Sequence, residues 1–351
     1  MPASMKSTSP VRLGVAGMTH GHIDGLMRRP AHGDVEIVGI AEANSAVVAR
    51  YAELYRLNTD LIYSDLDAML DTTHPELVVA FGSIYDHLRV VEACAPRGIH
   101  VMVEKPLAVN MQHALRMEDL ARQHNIHLLT NYETTWYASN HHVFQRVHSE
   151  NLIGQIRKVV VHDGHTGPQE IGCPPEFLAW LTDPTQNGGG AVIDFGCYGA
   201  NLITWLMGGQ QPQTVTAVLQ QLKPEVYPNV DDEATIVLTY AHTQGIIQAS
   251  WNWPVGRKDM EVYGQTGYIH TVDSASVRTR RVTDSAEQIT VLKPRIAPFD
   301  DPFAWVAAVV RRQISVADDD LSGLSNNLIV VQILDAARES ARTGQTVHLK
   351  S

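Results

Sequence analysis

From Val11 to Asn131 the chain alternates short apolar runs with amphipathic stretches, and that alternation restricts the fold more than any other feature. VRLGVAG (Val11–Gly17), VEIVGIAE (Val35–Glu42), ELVVAFG (Glu76–Gly82), HVMVE (His100–Glu104) and HLLTNYE (His127–Glu133) read as strands buried on both faces. Helical stretches separate them: one around His22–Arg29, SAVVARYAELYRL with Ser45 as a candidate N-cap, a short one in LIYSDLDAML, DHLRVVEACAPRG closed by Gly98, and AVNMQHALRMEDLARQHN. Repeated strand–helix–strand units demand a parallel sheet with helices on both faces.

The texture changes near Asn131. IRKVVVHDG, TVTAVLQQLK, ATIVLTYA, GIIQASWNW, MEVYGQTGYIHTV, SVRTRRVT and QITVLK follow one another as strands. Only the helical stretches Pro175–Leu181 and Gly196–Met207 interrupt them before the helical C-terminus. The expected architecture is an α/β Rossmann domain, a doubly wound parallel sheet, over residues 11–130. An α+β domain with a large open, mainly antiparallel sheet follows over 131–351. A helix at about 325–343 is expected to pack back on the first domain.

Composition narrows the function. The chain has 351 residues, 44% of them apolar, enough for two ordinary cores. The net charge of −11, from 27 basic and 38 acidic side chains, argues against nucleic acid and anionic membrane surfaces as partners. No apolar run approaches the ~18 residues of a membrane span. MPASMKSTSP lacks the apolar core of a secretory signal. Cys94, Cys173 and Cys197 are too few and scattered for a disulfide framework, and a reduced cytoplasmic protein is expected.

The first strand ends in the turn GMTHGH, Gly17–His22. Gly17 closes the strand and Gly21 lies near a helix start, where free amides and the helix dipole can hold a pyrophosphate. Thr19 and His22 stand where the usual G-x-G-x-x-G pattern has glycine. Glu42 closes the next strand near the ~20-residue spacing of a ribose-binding acid. A carboxylate there accepts from ribose hydroxyls and repels a 2′-phosphate, so NAD is expected over NADP. A plain strand–helix turn and a solvated glutamate are the alternatives. At the fourth long strand, Glu104 and Lys105 precede Pro106, which biases Lys105 toward extended backbone and aims an ammonium out of the strand end.

With these residues in place the chain resembles the Gfo/Idh/MocA family of nicotinamide oxidoreductases from Val11 to the C-terminal helix. EKP (Glu104–Pro106) is that family's most diagnostic tripeptide. FGSIYDH is similar to its A-T-P-N-x-x-H segment with only the histidine kept, a resemblance that implies Gly82, Ser83 and His87 lie beside the cofactor. GGGAVIDFGCYGANLITWLMG is similar to its G-G-G-x-x-x-D-x-G-x-H/Y block, and EVYGQTG to its late sheet motif. The resemblance implies that Gly17, Met18, Thr19, His20, Gly21, His22, Glu42, Glu104 and Lys105 contact the dinucleotide. It also implies that Asp194 and Tyr198 face Lys105 from the second domain. Tyr198, where inositol dehydrogenases have histidine, places the chain nearer the glucose–fructose oxidoreductase and dihydrodiol dehydrogenase branch. Asn201 completes D-x-G-x-Y-x-x-N. Family members commonly self-associate through the second sheet, so a homodimer or homotetramer is implied.

The chemistry implied is hydride exchange between nicotinamide and a carbinol of a sugar, cyclitol or sugar derivative. Tyr198 is expected as general acid/base, Lys105 as the group that favours its phenolate, and Asp194 as the orienter of Lys105. Tyr132, Trp136, His162 and His165 are candidate substrate contacts, as are Asp194 and Asn201. Thr135 replaces a family arginine, which disfavours anionic substrates. HDGH (His162–His165) leaves a metal, a sugar-hydroxyl contact and a structural role open, although an extended chain points the two histidines to opposite faces. No metal is expected. Trp251 and Trp253 can stack on a sugar or pack in the core. Asp231–Glu233 reads as a solvated strand start. Transient oxidation leading to glycoside cleavage or epimerisation, and a non-catalytic dinucleotide-binding regulator, are the competing functions.

Overall fold

The computed structural model describes residues 9–349. Most of the N-terminal stretch that lacks a secretory signal lies outside them. Six parallel strands form the first sheet: β1 (Val11–Ala16), β2 (Val35–Ala41), β3 (Ile62–Tyr63), β4 (Leu77–Ala80), β5 (His100–Glu104) and β6 (Leu128–Asn131), in the order β3-β2-β1-β4-β5-β6. Strand order reverses at β1, and ligands of such sheets bind outside the carboxyl ends of the strands at that point.

Nine strands form the second sheet: β7 (Ile156–Gly164), β8 (Thr214–Gln220), β9 (Glu233–Thr239), β10 (Gln244–Ser250), β11 (Arg257–Gly264), β12 (Gly267–Thr271), β13 (Ser276–Arg281), β14 (Gln288–Val291) and β15 (Val347–His348). Their order is β14-β13-β12-β11-β7-β10-β9-β8-β15. The sheet is antiparallel except where β10 runs parallel to β7, so it is mixed. Alternation along β9, with Ala234, Ile236 and Leu238 buried, turns one face onto helices Gly196–Leu206 and Leu324–Thr343. The other face leaves Val218 60% exposed.

The second half also contributes to the core of the first sheet. Helix Pro302–Val310 belongs by sequence to the second half. Yet Phe303, Trp305, Val306 and Val309 pack into the core formed by Leu13, Val15, Ile40 and Val79 of the first sheet. Helix Leu324–Thr343 joins the two bodies: Val331 enters the core on the other face of the first sheet, while Val330, Ile333 and Leu334 enter the core of the second. Asp335 on it accepts from Met111 N at 2.8 Å.

Two local expectations are corrected. Asn44, not Ser45, caps its helix by accepting from Ala46 N and Val47 N. Asp231–Glu233 is no solvated strand start. Asp231 accepts from Gly190 N at 2.8 Å and Val192 N at 2.7 Å, and burial pushes its carboxyl up to about 6. Asp232 is fully buried and accepts from Leu222 N and Lys223 N. The Asp231 carboxylate pins the glycine block in place. Gly190 is required there, because a Cβ would lie 1.7 Å from the Asp231 carbonyl oxygen.

Candidate active site

The turn after β1 is built around Gly17. Its φ is +78°, and a Cβ would lie 2.9 Å from Gly82 N, so only glycine lets the two strand ends approach. A cavity of about 210 Å³ opens between them, lined by Gly17, Thr19, Glu42, Ser64, Gly82, Ser83, His87 and Arg89 among others. Glu42 accepts from Met18 N at 2.9 Å and Asn44 N at 2.8 Å. Each carboxylate oxygen keeps a second lone pair for a ribose hydroxyl. His87 donates Nδ1–H to Leu107 O, which leaves a buried Nε2 with no partner. A glycine-walled slot, a carboxylate at one end and an orphaned imidazole nitrogen fit a dinucleotide.

Fewer turn amides are free than the sequence suggested. Thr19 N and His20 N both donate to Phe81 O, and Met18 N is held by Glu42. Gly21 N alone of this group lacks a partner among the described residues. Met18, His20, Gly21, His22, Glu104 and Lys105 are not on the walls of this cavity. His20 is wedged against Phe177 and Trp180 of the second half, and burial holds it well below its ordinary pKa. Trp180 Nε1 donates to Thr19 Oγ1 at 3.1 Å, joining the turn to the second half.

At the end of β5, Lys105 Nζ donates to Asp194 Oδ1 at 2.5 Å and Asp194 O at 3.0 Å. Trp251 Nε1 donates to Asp194 Oδ2 at 3.0 Å, which fixes the carboxylate from below. Trp251 is fully buried and therefore serves the core and this bond, not sugar stacking. Burial works against the Lys105 charge, but Asp194 outweighs it and holds the ammonium above its ordinary pKa. Asp194 is lowered in turn, Lys105 overcoming its burial.

Tyr198 is 2% exposed, with Lys105 Nζ 5.1 Å from its ring centre. The ammonium faces the ring and makes no hydrogen bond to the hydroxyl. Burial first, then Glu133 and Asp163, raise the Tyr198 pKa well above that of free tyrosine. The expected acidified phenolate is corrected: Tyr198 is held as a phenol. Tyr132 lies edge-on to it at 5.5 Å with an unpartnered buried hydroxyl.

Sequence reasoning missed the second half of this centre. Lys258 on β11 stands over Tyr198 and donates to Glu133 Oε2 at 2.6 Å. Its Nζ is 3.8 Å from Asp163 Oδ2, an oxygen with no hydrogen bond. Burial drives the Asp163 carboxyl well above its ordinary pKa. Lys258 and Glu133 are far apart in sequence and no motif links them. Asp163 was visible only as the middle of HDGH.

Two expected substrate residues lie elsewhere. Asn201 is fully buried and donates to Leu321 O at 2.8 Å, so it ties helix Gly196–Leu206 to the C-terminal segment. Trp136 donates to Asn131 and packs against Trp305. His165, by contrast, stays beside the centre: it stacks edge-on to Phe195, accepts from Gly167 N and helps lower the Asp194 pKa. His162 is on the wall of a small cavity with Asp163, Tyr198 and Lys258, and pairs with Asp259 at 3.1 Å.

Residues 11–132 match the model of an oxidoreductase family with an NAD-binding Rossmann fold, and residues 142–270 match the GFO/IDH/MocA C-terminal domain. The chain belongs to the Gfo/Idh/MocA family of oxidoreductases. Among curated relatives of this family, trans-1,2-dihydrobenzene-1,2-diol dehydrogenase of Xenopus laevis is 25% identical over 62% of this chain and 61% of its own length. A dTDP-3,4-didehydro-2,6-dideoxy-alpha-D-glucose 3-reductase of Streptomyces antibioticus is 27% identical over 48% of each. The match thus spans less than two thirds of either relative. An inositol dehydrogenase homolog from Azotobacter vinelandii, solved with NAD+, superposes with a TM-score of 0.82 at 17% identity over 99% of this chain and 100% of that one. An aldose–aldose oxidoreductase from Caulobacter crescentus superposes with a TM-score of 0.79 at 20% identity over 96% and 100%. These superpositions establish the shared fold. Among the described residues no helix is long and apolar enough to cross a membrane.

Proposed function

We propose that this Gfo/Idh/MocA chain moves a hydride between nicotinamide and a carbinol of a sugar, cyclitol or sugar-derived alcohol. The observation that carries the reading is the Lys105–Asp194 pair beside Tyr198 at the mouth of β5. An ammonium has three N–H donors, and Asp194 takes two. The third is available to the reacting oxygen, where it stabilises developing negative charge. Bound cofactor supplies the hydride acceptor or donor. Tyr198, kept as a phenol, can donate a hydrogen bond to the reacting oxygen without giving up its proton. Lys105 and Lys258 are offset by Asp194 and Glu133, a balance that favours an uncharged polyol over an anionic substrate.

Glu42 at the cofactor cavity supports NAD over NADP. The exposed face of the second sheet, with Val218, Tyr263 and Tyr268, supports a homodimer or homotetramer. The acidic balance supports a small carbohydrate-like partner rather than nucleic acid or membrane. Three free cysteines, two of them buried, suit a cytoplasmic setting.

The test mixes protein with NAD+ and a panel of aldoses, cyclitols, dihydrodiols and glycosides, following NADH absorbance and product mass. NADH formation that Lys105→Ala abolishes is the expected result. Product without net NADH would point to transient oxidation. A protein that binds NADH and changes nothing in the panel would overturn the catalytic reading in favour of a regulator.

A further inference from the structure

Oxidising a carbinol requires a base, and Lys105 and Tyr198 are both held in their protonated forms. Another group near them is arranged as an acceptor. His22 fills a position where the dinucleotide pattern has glycine, and its side chain leaves the turn to reach Glu104. Nδ1 of His22 lies 2.7 Å from Glu104 Oε2, and the other oxygen accepts from Asn131 Nδ2 at 2.8 Å. Glu104 is 2% exposed, so its carboxylate is held fast. A carboxylate only accepts, which places the His22 proton on Nδ1. Nε2 is then a lone pair, without a partner among the described residues, on a side chain 36% exposed. This is a histidine oriented by an acid, as a general base requires.

Its position suits the task. Glu104 immediately precedes Lys105. His22 lies close enough to Glu133 to help lower that carboxyl's pKa, and Glu133 holds the Lys258 that covers Tyr198. The imidazole therefore stands on the first domain's side of the centre that Tyr198 bounds from the second. A metal is the competing occupant, since ligand atoms of His20, His22 and Glu104 lie within 4.8 Å of one another. His20 opposes it. A metal-bound imidazole normally donates its other N–H to an acceptor. Nδ1 of His20 instead accepts from His22 N at 3.1 Å, which leaves the proton on Nε2.

We propose that His22, positioned by Glu104, accepts the hydroxyl proton when the substrate is oxidised. The proposal rests on the carbinol oxidoreductase reading above. The O–H bond breaks and its proton passes to Nε2. The freed electron pair forms the carbonyl, and the C–H bond departs with its pair to nicotinamide. Reduction runs the same path backward, with the imidazolium returning the proton.

The test is long-range 1H–15N spectroscopy of the full chain, labelled at histidine and saturated with NAD+ at pH 8, with His22 assigned from His22→Gln. A neutral His22 carrying its proton on Nδ1 is expected. Glu104→Gln should flip it to the Nε2–H form, because an amide held by Asn131 turns its NH2 toward His22. In any panel reaction that forms NADH, His22→Gln should lose at least ~10²-fold in rate, the scale of general-base catalysis. An Nε2–H tautomer in the parent protein overturns the proposal, as does unchanged turnover by His22→Gln. One equivalent of Zn2+ that moves the His20 and His22 nitrogens together also overturns it, in favour of a metal site. NAD+ that moves no histidine signal overturns the oxidoreductase reading itself, even if the tautomer is as expected.

Discussion

Lys258 stands 4.3 Å from the centre of the Tyr198 ring, nearer than Lys105 at 5.1 Å. The two ammoniums are not equivalent. Lys105 is enclosed with Asp194, whereas Lys258 is tied to Glu133, whose side chain is half exposed. A cation over an aromatic face is worth about 0.5–2 kcal/mol. Lys258→Met should therefore slow turnover about 10-fold, and Lys258→Arg should recover most of it. Steady-state kinetics on both variants check this, and equal rates in Met and parent would sink it.

Removing Lys105 leaves the Asp194 carboxylate buried with one hydrogen-bond donor fewer and no cation. Lys105→Met should lose activity and about 3–5 kcal/mol of stability. Lys105→Met combined with Asp194→Leu should regain most of that stability and none of the activity. Urea unfolding of the three proteins separates the roles. A single variant as stable as the parent would show that the pair is not buried as described.

Acid should destabilise the protein through its buried neutral histidines, with Asp231, raised to about 6, pulling the other way. Burial lowers His87 to about 4, and His141 likewise to about 4. Unfolded histidine binds its proton near 6.5. Stability is thus intact above about 6.5 and falls as pH drops toward 4, where the unfolded state holds more protons. His87 alone accounts for about 3 kcal/mol over that window. Unfolding of parent and His87→Gln at pH 7 and pH 5 checks the slope, which should flatten in the variant.

Gly190→Ala should abolish folding or cost more than about 4 kcal/mol, the range reserved for severe steric or core defects. The added carbon would collide with the Asp231 carbonyl. Gly21→Ala meets nothing within 4 Å and should melt near the parent temperature. Thermal scans of both distinguish a real collision from a general intolerance of substitution.

Glu42→Ala should weaken NADH binding about 10-fold, the loss of one charge-assisted hydrogen bond. NADPH should lose less, since a repelling carboxylate leaves with it. Fluorescence titration with each nucleotide measures the ratio. Parallel losses would remove Glu42 from cofactor discrimination.

Local patterns were legible where they repeat or end in a special residue. Apolar strand runs revealed the first sheet, and Gly17, Glu42 and Lys105 at strand ends pointed to the site. The glycine block placed Asp194 and Tyr198. What sequence could not show depends on register between distant strands. Lys258 reaches Tyr198 because β11 pairs with β7, setting Lys258 opposite Asp163. Asn201 matched a motif, yet its face of the helix turns to Leu321. Asp231 and Asp232 looked solvated because a string of acids usually is. Asp231 takes its backbone donors from Gly190 and Val192, distant in the chain, and Asp232 from the nearby Leu222 and Lys223.

Helix Pro302–Val310 closes one face of a sheet whose six strands are complete by Asn131. During synthesis that face waits for some 170 further residues, at about 5–20 per second. A nascent chain therefore carries a finished parallel sheet with apolar surface still wet for about 10–30 seconds. Truncations that keep only the nucleotide-binding half inherit the same exposure permanently, and aggregation of such fragments follows from where one late helix comes to rest.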